Sequence, residues 1–383
     1  MRLKILSVAF LILSCLSSCR EKDPTVPVKT VESQGFDSLD AEGCDSCSII
    51  KKAITDFQKE SESPSIFIGL VSAGKSMTFA NGKSFDFHKS SFEIGSITKV
   101  FNGQIMAVEM REKGLFPTDK IDEYITKRSV FSMPAGITFA ELANHSSGLT
   151  RLPSNMNLNS KTPYTGYSID KLKEYLKTKP TLTTRGKYSY SNLGSAVLGL
   201  ALEGRTGISW ENLLKERILN KIGMKHTAIT TPAGTKLLQG HMKNEKLEET
   251  PPWDFEMMAP CGAIRSTPAD MMKYLKYWIE SDDAKKNLEK MLMMKIPVDG
   301  KFIESAMGWH VFKAGKLEII WHDGGTYGFS SFIGFIPEIR TGIIIMANSF
   351  NLKAPIIKPA LKILVGIYKN TMKKPAVKTE GQK

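Results

Sequence analysis

Ser96-Ile97-Thr98-Lys99 places a hydroxyl and an amine one helical turn apart, a spacing that lets a serine nucleophile share a face with its own base without a histidine. The same Ser-x-x-Lys pattern occurs at Ser48/Lys51, Ser72/Lys75 and Ser168/Lys171, so spacing alone selects none of the four. Context selects Ser96. Phe92 to Ile94 reads as extended, Gly95 as a turn, and Ile97, Phe101, Ile105 and Val108 then recur at helical spacing up to Met110, which puts the serine at the head of a buried helix. Lys99 lies on the Ser96 face, and Gly103 and Ala107, next on that face, are expected to leave it room. Ser72/Lys75 falls in a hairpin around Ala73-Gly74, whereas Ser48 and Ser168 precede polar-faced helices and read as N-caps.

Two further stretches carry side chains suited to chemistry. Tyr188-Ser189-Tyr190-Ser191-Asn192 follows a turn at Arg185-Gly186 and leads into a helix starting at Leu193, so Tyr190 and Asn192 project from a loop just before it. Trp321-His322-Asp323-Gly324-Gly325 ends a strand in glycines that allow another backbone or a substrate to come close. Other candidates read as structural: Glu216 points away from the apolar face made by Leu213, Leu214 and Ile218, His145 is expected to be a hydrogen-bonded core residue, and Cys261 a small buried hydrophobe near the cleft. Cys44-Asp-Ser-Cys47 has no further ligands near it, so no metal and no cofactor is expected; it reads as a local disulfide or as nothing.

These groups need a scaffold that brings distant segments together. Ser65 to Ala80 alternates as a hairpin, and Leu317–Trp321, Phe329–Phe335 and Thr341–Ala347 read as three more strands. Helical patterns fill the middle, at 97–113, 139–144, 168–177, 193–203, 209–221 and 268–280, and one more follows at 355–370. The expected fold is therefore α/β of the α+β kind: an antiparallel sheet of about five strands built from both chain ends, flanked by helices, with a mostly helical region inserted. The α/β part spans 48–95 and 303–370, and the helical part 96–302.

Taken in order, Ser96-x-x-Lys99, Tyr190-x-Asn192 and His322-x-Gly324 resemble the serine β-lactamase and penicillin-binding protein superfamily, in its class C β-lactamase-like and DD-peptidase branch. Secondary landmarks at Ile137–Leu149, Ile222-Gly223-Met224, Ala259–Asp270 and Gly308-Trp309 extend the likeness from about Ser48 to Asn370. The resemblance implies Ser96 as acylated nucleophile, Lys99 and Tyr190 as the proton-transfer pair, and Asn192 as hydrogen-bond partner to substrate and to Lys99. His322 and Gly324 would bind substrate, with the backbone N–H groups of Ser96 and Gly325 as oxyanion hole. A phenol with an ordinary pKa near 10 deprotonates serine only if cations favour its phenolate, and a desolvated lysine can act instead; both remain open. His322 stands where class C β-lactamases usually carry Lys, and a neutral imidazole holds a carboxylate less firmly, so efficient β-lactamase action is not expected. The implied activity is DD-peptidase-like on cell-wall peptides. Alternatives are an esterase on small acyl esters, a β-lactamase of weak turnover, or a non-catalytic penicillin-recognising protein.

The 383 residues are 42% hydrophobic and 24% charged, enough for a core without disulfide staples. Arg2 and Lys4 followed by the apolar run Ile5–Leu16 read as an export signal, and Leu16-Ser17-Ser18-Cys19 resembles a lipobox. Residues 1–18 would be a lipoprotein signal peptide, Cys19 the lipidated residue, 19–47 a polar tether and 371–383 a basic tail. That arrangement places the protein at the periplasmic face of a bacterial membrane or at the cell surface, held by its lipid. The net charge of +13 is scattered among acidic residues without a nucleic-acid motif, so no nucleic acid is expected as partner.

Overall fold

A computed structural model of the chain describes residues 47–373, apart from Ala73, 130–132 and Ala135. The expected signal peptide, Cys19, nearly all of the tether, Cys44 and most of the basic tail lie outside the described residues. Eight antiparallel strands form the main sheet: β1 (Ser65–Ser72), β2 (Lys75–Gly82), β3 (Ile296–Pro297), β4 (Ile303–Ser305), β5 (His310–Ala314), β6 (Leu317–Gly325), β7 (Ser330–Ile336) and β8 (Thr341–Ala347). Their order is β2-β1-β8-β7-β6-β5-β4-β3. The N-terminal hairpin joins the C-terminal strands through β1 and β8, where Ile66 pairs with Ala347 and Ser72 with Thr341.

Both faces of the central strands are covered, which is why they read as continuous apolar runs. On β8, Ile343, Ile345 and Ala347 pack beneath helices Cys47–Ser61 and Ile357–Lys373, with Ile54, Phe57, Leu361 and Leu364. Ile344 and Met346 point the other way, into the larger core shared with the helical region. The sheet has three more strands than the five expected. β3, β4 and β5 contain only two to five residues each, too few to show a period in the sequence. β3 also carries the sheet back to Ile296, inside the segment read as helical. Two small sheets also draw strands from that region, one joining Ser90–Glu93 with Arg265–Ser266.

The helix Thr98–Glu112 is buried along Thr98–Glu109 and runs through the centre of the molecule. Phe101 stacks on Tyr274 at 4.0 Å, and Asn102 is fixed by Ser195 O at 2.8 Å and by Trp210 Nε1 at 3.0 Å. Gly103 does not leave space for Lys99, as its place on the helix face suggested. The Met307 carbonyl fills it, so closely that a Cβ would lie 2.3 Å from that oxygen. Among the other Ser-x-x-Lys pairs, Ser72 and Lys75 face each other across the β1–β2 hairpin and Ser168 caps helix Ile169–Lys177. Ser48 lies within the first turn of helix Cys47–Ser61 rather than ahead of it.

Candidate active site

Ser96 sits in a single 3-10 turn, Gly95–Ile97, between the strand Ser90–Glu93 and the central helix. Gly95 takes φ +51°, which an L side chain rarely adopts, and a Cβ there would lie 2.6 Å from Gly325 N. The turn before the serine is thus in backbone contact with the end of β6. Gly324 is held as tightly, since its Cβ would lie 2.0 Å from Ile94 O, the carbonyl that also accepts from Ser331 Oγ at 2.8 Å. The Ser96 turn is therefore locked against the glycine end of β6.

Glu93 braces this junction. It is 4% exposed and accepts from Trp253 N at 2.8 Å, from Arg265 Nη2 at 3.4 Å and from the Thr326 hydroxyl. Burial raises its pKa despite those donors. One carboxylate thereby ties the approach to Ser96 to the residue after Gly325.

Ser96 is half-exposed, whereas Lys99 is 3% exposed. Lys99 Nζ donates to Ser96 Oγ at 3.1 Å and to Cys261 O at 2.6 Å. It also lies 4.9 Å from the centre of the Tyr190 ring. The Tyr190 loop is anchored through His145, whose carbonyl accepts from Ser189 N at 2.8 Å and whose Nδ1 accepts from Ser191 N at 3.2 Å. Its ring lies 4.4 Å from that of Tyr190. His145 is the packed, hydrogen-bonded residue its context suggested, and Cys261 is buried, its thiol pushed up to about 11 by burial. Glu216 is exposed, beside Arg217.

Asn192 departs from the expected arrangement. Its Nδ2 donates to Tyr164 Oη at 2.6 Å and its buried Oδ1 has no partner, so it makes no bond to Lys99. The Cys261 carbonyl takes that place because the segment Glu256–Cys261 packs against the helix Asn192–Thr206 beside Lys99. Tyr164 in turn belongs to an aromatic wall with Phe255 at 4.5 Å and Trp253 at 5.1 Å; Trp253 meets Tyr327 at 4.8 Å.

His322 is 2% exposed and faces His310 at 5.2 Å and Tyr190 at 6.3 Å. Burial first, then His310 and Lys99, hold its pKa well below 6.5, and burial brings His310 down to about 4. Its Nδ1 meets Asp323 O at 2.6 Å and must carry the proton, leaving Nε2 a buried acceptor without a partner. The β6 side of the cleft thus offers no cation. Arg151 supplies one on another side: this exposed residue places its guanidinium carbon 5.1 Å from the Tyr190 ring centre. Its carbonyl accepts from Asn192 N at 3.0 Å. Sequence reasoning passed over Arg151, His310 and Glu93; Glu93 alone had a local signal, as an acid in an apolar strand three residues before the serine.

A family model described as Beta-lactamase matches residues 50–365. Beta-lactamase-like protein 2 of Dictyostelium discoideum is 25% identical over 74% of this chain, and the match spans about half, 54%, of that protein's length. The D-alanyl-D-alanine-carboxypeptidase/endopeptidase AmpH of Escherichia coli is 25% identical, over 68% of this chain and 71% of its own. Among solved structures, a class C β-lactamase from Rhodobacter sphaeroides superposes with a TM-score of 0.70 at 18% identity, over 84% of this chain and 99% of the other. An octameric penicillin-binding protein homologue from Pyrococcus abyssi reaches 0.68 at 21% identity, over 84% and 77%. The fold is that of these structures, and the chain belongs to the β-lactamase family of serine hydrolases.

Proposed function

We propose that this protein is an exported hydrolase that works through an acyl-enzyme on Ser96, with DD-peptidase-like activity on cell-wall peptides. The observation that carries the reading is the 3.1 Å bond from Lys99 Nζ to Ser96 Oγ, with Tyr190 against the same amine. Ser96 Oγ attacks the substrate carbonyl, and its proton passes through the Lys99–Tyr190 pair to the leaving amine as the C–N bond breaks. The carbonyl oxygen's transient charge is received by the amides of Ser96 and Gly325. Water then adds to the ester, the same pair moves its proton to Ser96 Oγ, and the acid departs. Asn192 and the β6 edge at His322 and Gly324 flank the bound chain. The likeness to a carboxypeptidase supports a peptide substrate.

An esterase is the second reading, favoured by the neutral, buried His322. Release of D-alanine from a peptide ending in D-Ala-D-Ala, against release of p-nitrophenolate from p-nitrophenyl butyrate, separates the two. D-alanine release lost in Ser96→Ala supports the peptidase; hydrolysis of the ester alone supports the esterase; neither activity overturns the acyl-enzyme. Anchoring through Cys19 belongs to the same proposal, supported by the apolar run before it. Labelling with a palmitate analogue in cells is expected for the wild type and not for Cys19→Ala.

A further inference from the structure

We infer that the outward face of the two helices covering the sheet, Cys47–Ser61 and Ile357–Lys373, is a docking surface for an anionic phospholipid bilayer. Neither acylation of Ser96 nor a lipid on Cys19 is required for it. Helix Ile357–Lys373 carries four lysines and no acid, and helix Cys47–Ser61 three lysines against Asp56 and Glu60. At 3.6 residues per turn, Lys358, Lys362, Lys369 and Lys373 fall within about 60° of one another around their helix, and Lys52 and Lys59 within about 20° around theirs. The fold thus gathers charge that is scattered in the sequence.

Both stripes point away from the protein, because Ile54, Phe57, Leu361 and Leu364 pack the opposite sides of these helices onto the sheet. The stripes also adjoin: a Cβ on Gly366 would lie 3.0 Å from the Ile49 side chain. Asp56 sits between them, shared by Lys52 at 3.8 Å and Lys362 at 3.3 Å, with all three side chains 44% exposed. One hydrated carboxylate cannot neutralise both stripes. From Lys358 to Lys373 the array is about 22 Å long, which suits a plane of phosphate headgroups, where lysines add their effects, better than a single small anion. The chain enters this face at Cys47, the first residue of its helix, so a lipid on Cys19 would hold the lysines beside the bilayer. Ile94 and Ile97, on either side of Ser96 in the chain, belong to the core on the other face of the sheet. Docking therefore leaves the side that carries Ser96 turned away from the lipid.

The test uses the chain from residue 19, which keeps every described residue, with Cys19→Ser so that no lipid can attach. It is sedimented with phosphatidylcholine vesicles, with or without about 30 mol% phosphatidylglycerol. Binding is expected only to the anionic vesicles and should be lost in about 1 M salt, where the Debye length falls to about 3 Å. Lys358→Gln, Lys362→Gln and Lys373→Gln, combined, should weaken it about 100-fold. Lys177→Gln, Lys225→Gln and Lys286→Gln, combined, remove the same charge from exposed positions of the helical region and should weaken it less than about threefold. Equal losses in the two triple variants would make the attraction a matter of net charge and overturn the inference, as would no binding to the anionic vesicles. Retention on dextran sulfate by a protein that ignores the vesicles would assign the face to a soluble polyanion and overturn it too.

Discussion

Tyr190 stands between two walls, one neutral and one cationic. On the β6 side, His322 and His310 are buried and neutral, and on the side of the loop that follows Asn144, Arg151 is exposed and cationic. The difference teaches that in this fold a cation is tolerated at the exposed loop beside Tyr190 while the strand edge opposite is kept uncharged. Buried imidazoles avoid the cost of a second buried charge near Lys99, a cost that an exposed guanidinium does not incur.

The strongest way to break this contrast is to force a cation into the neutral wall. His322→Lys buries an ammonium against His310 with Lys99 nearby, and should cost about 3 to 5 kcal/mol of unfolding free energy in urea titrations. Unchanged stability together with tighter carboxylate binding would mean that the β6 wall accepts charge after all. A second check uses acid. His310 has a folded pKa of about 4 against 6.5 unfolded, so below pH 6.5 the unfolded chain takes up a proton that the folded one refuses. Stability from this residue is full above pH 6.5 and falls, by roughly 3 kcal/mol, as pH drops to about 4. Urea midpoints across that window should fall steeply for the wild type and less steeply for His310→Asn.

Smaller effects sharpen the Arg151 side. Helix Phe139–Ala143 leads into its loop and starts with a capping box, in which Thr138 Oγ1 accepts from Glu141 N and Glu141 accepts from Thr138 N. Burial alone would raise the Glu141 pKa, but its bonds to Arg185 and Thr138 lower it. Thr138→Ala should cost about 1 kcal/mol and loosen Arg151 and Tyr190 more than the β6 histidines, visible as local hydrogen exchange. The smallest effect is expected for Glu216→Gln, which should change stability by less than about 0.5 kcal/mol and leave deacylation untouched, because Glu216 lies on the exposed face of its helix. A slowed deacylation in that variant would reopen a carboxylate role.

That Ser96 and Lys99 share one helical turn was legible from the glycine turn and the helix period around them, whereas Tyr190 had only a weak local signal and was placed beside them through the family resemblance. Arg151 and His310 were not legible, since their meaning arises from contacts across the fold: Arg151 with Tyr190, His310 with His322 on the neighbouring strand. The turn of Asn192 toward Tyr164 was hidden for the same reason, as a carbonyl from Cys261, distant in sequence, meets Lys99 instead. For the sheet, β6 to β8 had length enough to show their pattern, while β3 to β5 exist only by pairing against strands already formed.

Acylation at Ser96 is tested most directly by intact mass after exposure to a fluorophosphonate, whose neutral phosphonyl group needs neither wall. One adduct per chain is expected for the wild type, mapping to the peptide that contains Ser96, and none for Ser96→Ala in a folded sample. An unmodified wild type, or an equal adduct in Ser96→Ala, would contradict Ser96 as the nucleophile.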